Sequence, residues 1–286
     1  MWDRTTLSAR SHLFWDRVRR SDRGRLLLDG TRLSLGTLTA IEVPPPTRID
    51  RQVAGTAIAL APFTQLPLVC FLVLWGWVVR EVPVPSLVAA AATMVAITLA
   101  TRGMHLDGLA DTADGLSASY DRAKSLDVMR RGNSGPSGVA AVALVLLVDA
   151  AALASLLTTG SGLVLVCLSL VASRQLLAWG CSVGVPSARP EGMGATFAGS
   201  VRRPLTAGGF VLLLGVAALA TQWSGPTWWS GPVVICSAAL GGVALIRRAT
   251  QRFGGITGDV LGAVIEVSFA VALTTSAVLV TATRLL

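Results

Sequence analysis

Arg102-Gly-Met-His-Leu-Asp-Gly-Leu-Ala-Asp-Thr-Ala-Asp-Gly-Leu116 places three carboxylates, a histidine, an arginine and three glycines in fifteen residues of an otherwise apolar chain. Asp107, Asp111 and Asp114 stand at i, i+4 and i+7, so on a helix they fall within roughly 60° of arc and face one way. Carboxylates beside lipid cost roughly 2.5–3.5 kcal/mol each at mid-bilayer. Three on one face also repel one another, and a divalent cation offsets both costs. Asp107 and Asp114 are about 10 Å apart along a helix axis, too far for one Mg²⁺ with ligands at about 2.1 Å. Adjacent pairs can share an ion, and two ions bridged by a diphosphate would use all three. His105 points the opposite way on an ideal helix and joins the Asp face only if the helix begins after it.

The surrounding chain reads as an all-α, polytopic helical membrane protein. Of its 286 residues 52% are hydrophobic and only 14% charged, with a mean hydropathy of +0.65. That composition points to the bilayer. About seven apolar runs approach the roughly 20 residues a spanning helix needs: Ala54–Val79, Ser86–Thr101, Gly138–Leu157, Gly162–Val185, Leu205–Trp223, Pro232–Ile246 and Val260–Thr283. The second and sixth are short. The first contains Pro62 and Pro67, which predict a kink or a re-entrant break.

A net charge of +8 invites a nucleic-acid reading, but the cations fall where the positive-inside rule puts them. Residues 1–51 carry ten arginines, and the loops 102–137, 186–204 and 247–259 hold most of the rest. The loops Thr158–Ser161 and Ser224–Gly231 carry no charge. This alternation predicts an N-terminus inside, a C-terminus outside and the Asp-rich segment on the cytoplasmic side, with the lipid bilayer as partner and no nucleic acid. Cys70, Cys167, Cys181 and Cys236 lie in or at the ends of spans without a CxxC or Cys/His pair, so they read as small buried residues rather than zinc ligands or disulfides. No signal peptide is expected, because the Arg-rich start lacks an apolar stretch and cleavage site. Residues 1–25 are expected to form a flexible or surface-lying extension. Residues 26–286 form one membrane domain, opening on an amphipathic segment, Leu26–Ile41, that Pro44-Pro-Pro46 ends.

Two further polar knots interrupt the apolar sequence. Arg130-Arg131 precede Gly132-Asn-Ser-Gly-Pro-Ser-Gly138, a glycine-rich turn that feeds a span and offers backbone N–H groups to phosphate; it lacks the P-loop form. Arg252-Phe-Gly-Gly-Ile-Thr-Gly-Asp259 leads into the last span, where Glu266 lies seven residues on, about two turns inside. Asp149 and Arg174 are also intramembrane. Either they pair with each other, or Arg174 faces an anionic substrate.

These residues carry a family resemblance. His105-Leu-Asp-Gly-Leu-Ala-Asp-Thr-Ala-Asp-Gly115 resembles the hallmark of the cobalamin synthase family, the adenosylcobinamide-GDP ribazoletransferases. The likeness extends to Met129-Arg130 and the Gly-rich turn, to Ser173-Arg174, to Gly254-Gly-Ile-Thr-Gly-Asp259 and to Gly262-Ala-Val-Ile-Glu266, and covers roughly residues 26–280. Many relatives have a histidine in the Gly-rich turn, where this chain has Gly135-Pro-Ser-Gly138. The resemblance implies a Mg²⁺-dependent transferase in the last steps of cobalamin biosynthesis. It would join adenosylcobinamide-GDP to α-ribazole, or to α-ribazole 5′-phosphate, and release GMP. Asp107, Asp111 and Asp114 would be catalytic metal ligands. One of them, or His105, would take the hydroxyl proton. Arg102, Arg130, Arg174, Thr257, Gly258, Asp259 and Glu266 would bind substrate. Other nucleotide-loop assembly enzymes and oligomerisation enter as expected partners. The spacing Gly103-x₃-Asp107-x₃-Asp111 also echoes half of the CDP-alcohol phosphotransferase signature. A prenyltransferase would want a second Asp-rich motif, and an ion-coupled transporter would leave the Asp cluster unexplained.

Overall fold

The computed structural model describes residues 22–224 and 227–285, and every described element is helical. The expected N-terminal extension lies mostly outside these residues. Its boundary at residue 25 falls inside the first described helix, α1 (Asp22–Leu38), which is followed by α2 (Arg51–Leu60), a short 3₁₀ turn (Phe63–Gln65), α3 (Leu66–Glu81), α4 (Ser86–Ala100) and α5 (Met104–Ala118). Then come α6 (Arg122–Val128), α7 (Pro136–Leu156), α8 (Gly160–Gln175), α9 (Leu177–Gly180), α10 (Met193–Phe197), α11 (Arg203–Ser224), α12 (Ser230–Phe253) and α13 (Gly258–Leu285).

Among the described residues six stretches are long and apolar enough to cross a membrane: Phe63–Glu81, Pro136–Leu156, Gly160–Gly180, Arg203–Ser224, Ser230–Phe253 and Gly258–Thr283. The pair α4–α5 makes a seventh if its halves count as one span, and these halves meet at 90°. The first expected span is broken where Pro62 interrupts it: α2 stops at Leu60 and the crossing helix restarts at the 3₁₀ turn. The sixth, expected to be short, runs on for 24 residues to Phe253. Its cationic end, Arg247, Arg248 and Arg252, is helical and not a loop. Helices end on charge only when the charge can reach water or a partner, and arginine stems can do both.

The outside of the bundle is greasy. Leu74, Leu99, Leu147, Val211 and Leu240 are each about two-thirds or more exposed, as side chains facing lipid tails would be. The centre is α13, which packs on α12, α5, α8 and α7. The segment Gly160–Gly180 and α13 are the two spans most enclosed by protein. Small residues let backbones meet, as is usual in membranes: Gly231 lies against Ala217, and Gly242 against Ser268 and Leu176.

Three features at the charged end of the bundle position the site. The corner between α4 and α5 is made by Arg102 and Gly103, both left-handed, with φ +56° and +66°. A left-handed backbone costs a non-glycine residue roughly 1–2 kcal/mol. The Arg102 guanidinium offsets this by donating to the Gly36 carbonyl at 2.6 Å, which ties the corner to the end of α1. Next, α1 and α2 pack side by side, linked by Asp29, whose carboxylate accepts both the N–H and the hydroxyl of Thr47 at 2.9 and 2.5 Å. The expected amphipathic segment is therefore half of a helical hairpin. Finally, the connection between α9 and α11 runs alongside the knot before α13: Ala188 N–H donates to Ile256 O, and Ile256 N–H to Pro186 O.

Candidate active site

The Asp-rich motif forms α5 from Met104 onward, because Gly103 turns the chain and Met104 starts the helix. Asp107, Asp111 and Asp114 share a face as their spacing requires, yet they are not equivalent. Asp107 is exposed, Asp111 half-buried and Asp114 buried. The N-terminus of α7 lies on the far end of α5, and Asp114 is taken up by it: one oxygen accepts Gly135 N–H at 2.6 Å, the other Gly138 N–H at 2.8 Å. A β-carbon at position 138 would come 2.5 Å from this carboxylate. So the Gly-rich turn spends two of its amides on Asp114.

The second knot packs directly on the first. Thr257 caps α13, its hydroxyl accepting Val260 N–H at 3.1 Å and lying 3.2 Å from an Asp259 oxygen. This fixes Asp259 in the first turn, where a helix favours negative charge. α5 and α13 run antiparallel and touch at their glycines. Gly262 lies against the His105 backbone, and Gly108 against the Asp259 backbone. Asp259 and Asp107 consequently lie within electrostatic reach of each other, and Asp111 senses Asp107, Asp259 and Asp114. A narrow cleft of about 150 Å³ opens here, lined by Thr37, His105, Asp107, Met193, Gly258 and Asp259 among others.

Arg189, on the connection after α9, is the cation facing these acids: Asp259 and Asp111 are both its electrostatic neighbours, and Arg130 is a third. Partial burial pulls its guanidinium below the usual arginine value, against the two carboxylates. In the sequence Arg189 is one of the cations of the 186–204 loop and counts only toward topology. What marks it is its place in Ser187-Ala-Arg-Pro190, beside the second knot. Arg130 is thus brought to the site's edge, whereas Arg102 is occupied by Gly36.

His105, which lines the inner part of the cleft, forms a deeper group with Arg174 and Glu266. The helix begins before His105, so its ring faces away from the Asp side: Nδ1 lies 3.7 Å from Glu266 Oε1, and both ring nitrogens lack a hydrogen-bond partner among the described residues. Arg174 is enclosed by protein, holding Ser173 Oγ at 2.9 Å, with Glu266 and His105 as electrostatic neighbours. Asp149 is fully buried and senses Glu266. Among the described residues no ion pair joins Asp149 to Arg174. The charges that Arg174 feels are those of this deeper group, His105 and Glu266, and not those of Asp107, Asp111 or Asp259.

Among the described residues no three His, Cys, Asp or Glu side chains are gathered closely enough to enclose a metal ion. Mg²⁺ rarely asks for that. It keeps several waters and binds through one or two carboxylates together with substrate phosphates. Asp107 and Asp259, which line the cleft, with Asp111 in electrostatic reach of both, fit this mode.

A family model for cobalamin-5-phosphate synthase matches residues 30–277. An adenosylcobinamide-GDP ribazoletransferase from Nocardioides sp. is 42% identical, the match covering 86% of this chain and 96% of that protein. One from Frankia casuarinae is 36% identical, over 85% of this chain and 92% of its own length. One from Syntrophobacter fumaroxidans is 33% identical, over 83% and 93%. No solved structure matches the chain.

Proposed function

The chain belongs to the cobalamin-5-phosphate synthase family, and from that premise we propose that it joins adenosylcobinamide-GDP to α-ribazole or α-ribazole 5′-phosphate. The products would be adenosylcobalamin, or its 5′-phosphate, and GMP. A ribose hydroxyl attacks the cobinamide-side phosphorus of the diphosphate. The bond from that phosphorus to the bridging oxygen breaks, and GMP departs with the bonding pair.

The observation that carries this reading is the packing of Asp259 on Gly108, which brings Asp107 and Asp259 to one cleft with Asp111 and Arg189 in electrostatic reach. A diphosphate needs enclosure from more than one side, and here two helices and a loop supply it. Asp107, Asp111 and Asp259 would hold Mg²⁺, which when bound supplies charge neutralisation for the diphosphate and the leaving phosphate. Arg189 and Arg130 add cationic contacts. A carboxylate on the Asp face accepts the hydroxyl proton. Asp114, through Gly135 and Gly138, holds the mouth of α7 in place. The loop charges favour a cytoplasmic membrane with this cleft facing inward.

The direct experiment reconstitutes the purified protein in lipid and supplies adenosylcobinamide-GDP, α-ribazole and Mg²⁺. GMP release coupled to cobalamin formation is expected. Hydrolysis of the GDP substrate without joining, or no reaction at all, would refute the assignment.

A further inference from the structure

Beside the carboxylate cleft lies an open cleft of about 590 Å³, lined by Arg51, Arg122 and Arg189 with the backbone of Gly184–Pro190 and the helix α10. We propose that it is a binding site for the phosphate monoester of a nucleotide, either the 5′-phosphate of the α-ribazole acceptor or that of the guanylate leaving group. The proposal rests on the transfer reading for the choice of nucleotide, but not for the chemistry of the site.

Three segments far apart in sequence bring the guanidinium groups together, and each is pinned by a backbone carbonyl. Arg51 donates through Nε and one terminal nitrogen to Gly199 O at 3.0 and 2.6 Å. Arg122 donates to Ala188 O at 2.8 Å, and Arg189 to Leu126 O at 2.8 Å. A guanidinium has five N–H donors, so each keeps donors to spare while its position is fixed. Arg189 Nε is buried with no partner among the described residues. Among the described residues no aspartate or glutamate lines the cleft, and none of the three arginines is in an ion pair. Three preorganised cations in a cleft with no carboxylate in its lining suit a doubly charged oxyanion, which arginine forks bind through paired N–H bonds. The volume falls in the range of small-ligand sites.

Positive-inside bias explains cations at this end, as it does for Arg202, Arg247 and Arg248. It does not explain why three of them turn into one acid-free cleft. Position adds a reason. The wall Pro186–Ala188 pairs with Ile256, directly before Thr257-Gly258-Asp259. Arg189 reaches Asp259 and Asp111 electrostatically. A phosphate held here would lie one loop away from the carboxylate cleft, within reach of the acceptor's 5′-phosphate or, once the diphosphate is cleaved, of the phosphate of departing GMP.

The test titrates the lipid-reconstituted wild-type protein, Arg122→Gln and Ala195→Glu with inorganic phosphate, GMP and α-ribazole 5′-phosphate. Ala195 lines the cleft, so the glutamate adds a repelling charge while leaving all three arginine anchors intact. That variant keeps the test decisive if Arg122→Gln unfolds. Loss of a charged hydrogen bond at about 1.5–3 kcal/mol corresponds to about tenfold or more in dissociation constant, expected in both variants for at least one nucleotide. A matching rise in KM for α-ribazole 5′-phosphate assigns the cleft to the acceptor. Weaker product inhibition by GMP, with KM for α-ribazole 5′-phosphate unchanged, assigns it to the guanylate. Wild-type affinities for all three ligands in folded Ala195→Glu overturn the proposal. Nucleotide binding that depends on these residues, in a protein without transferase activity, would sink the transfer reading and leave the anion site standing.

Discussion

The backbone of Asp259 lies against Gly108 so closely that a β-carbon at position 108 would stand 2.6 Å from the Asp259 carbonyl oxygen. The obstacle is backbone at the first turn of α13, not the end of a flexible side chain, so it cannot swing aside. Gly108→Ala should push α5 and α13 apart at the level of the carboxylates. Overpacking of this kind costs about 1–3 kcal/mol. The expected result is a lower unfolding temperature and at least a tenfold loss of turnover, measured as GMP release. Wild-type stability and rate in the Gly108→Ala protein would show that the contact is not needed.

Asp107 lines the cleft and Asp111 lies one helical turn on along the same face of α5, and no backbone amide claims either carboxylate among the hydrogen bonds of the described residues. Asp111→Asn or Asp107→Asn should therefore leave folding intact and lower turnover by about two orders of magnitude, from the several kcal/mol that metal charge stabilisation supplies. EDTA should abolish activity and Mg²⁺ restore it. Full activity in the Asp111→Asn protein would remove that residue from the mechanism.

Asp114 should behave differently from its neighbours. Its two oxygens satisfy Gly135 and Gly138 N–H, and leaving such donors buried and unpaired costs about 1–3 kcal/mol each. Asp114→Ala should destabilise the protein, measured by thermal unfolding in detergent. Asp114→Asn, which keeps one acceptor oxygen, should destabilise it less. Equal stability of Asp114→Ala and Asp107→Asn would contradict this division of labour.

That division marks where the sequence stops being informative. The shared face of the three Asp residues is local geometry and is legible from spacing alone. The helical bundle is legible too, because a spanning segment must satisfy its own backbone and bury apolar length. Which of the three carboxylates meets α7 depends on a tertiary contact with Gly138, 24 residues from Asp114, and no periodicity reports it. The corner at Arg102-Gly103 sets where α5 begins, hence that His105 turns toward Glu266. Arg189 is hidden in the sequence because the positive-inside rule already accounts for a cation at that end. Asp259 is reachable only through the family resemblance and the argument that a diphosphate must be enclosed.

Topology can be checked independently of activity. Ser119 O accepts a hydrogen bond from Arg252, and Gly194 lies against Ile256, so the loops holding Ser119 and Gly192 share one end of the bundle. Gly160 lies beside Arg80, beyond the 21 residues of α7, about 30 Å away at 1.5 Å per residue. Single cysteines at Ser119 and Gly192 in a cysteine-free background should resist an impermeant thiol reagent in intact cells, and one at Gly160 should react. The reverse pattern would turn the carboxylate cleft outward.

Arg174 supports the last prediction, because its surroundings leave it no role on the surface. It is 1% exposed, in a span, with Glu266 and His105 around it and Asp149 beyond Glu266. A lone cation there is costly, and so are two carboxylates without it. Removing one member of a buried charge group typically costs about 3–5 kcal/mol, since the rest is left uncompensated. Arg174→Met should therefore destabilise the bundle more than Arg122→Gln, since Arg122 is exposed. Glu266→Gln in the same background should restore part of the loss, because it removes one of the carboxylates that Arg174 offsets. The double-variant cycle should show coupling well above the few tenths of a kcal/mol expected of independent sites. If Arg174 instead bound an anionic substrate, Arg174→Met would raise KM while leaving thermal unfolding unchanged, and the two effects with Glu266→Gln would simply add.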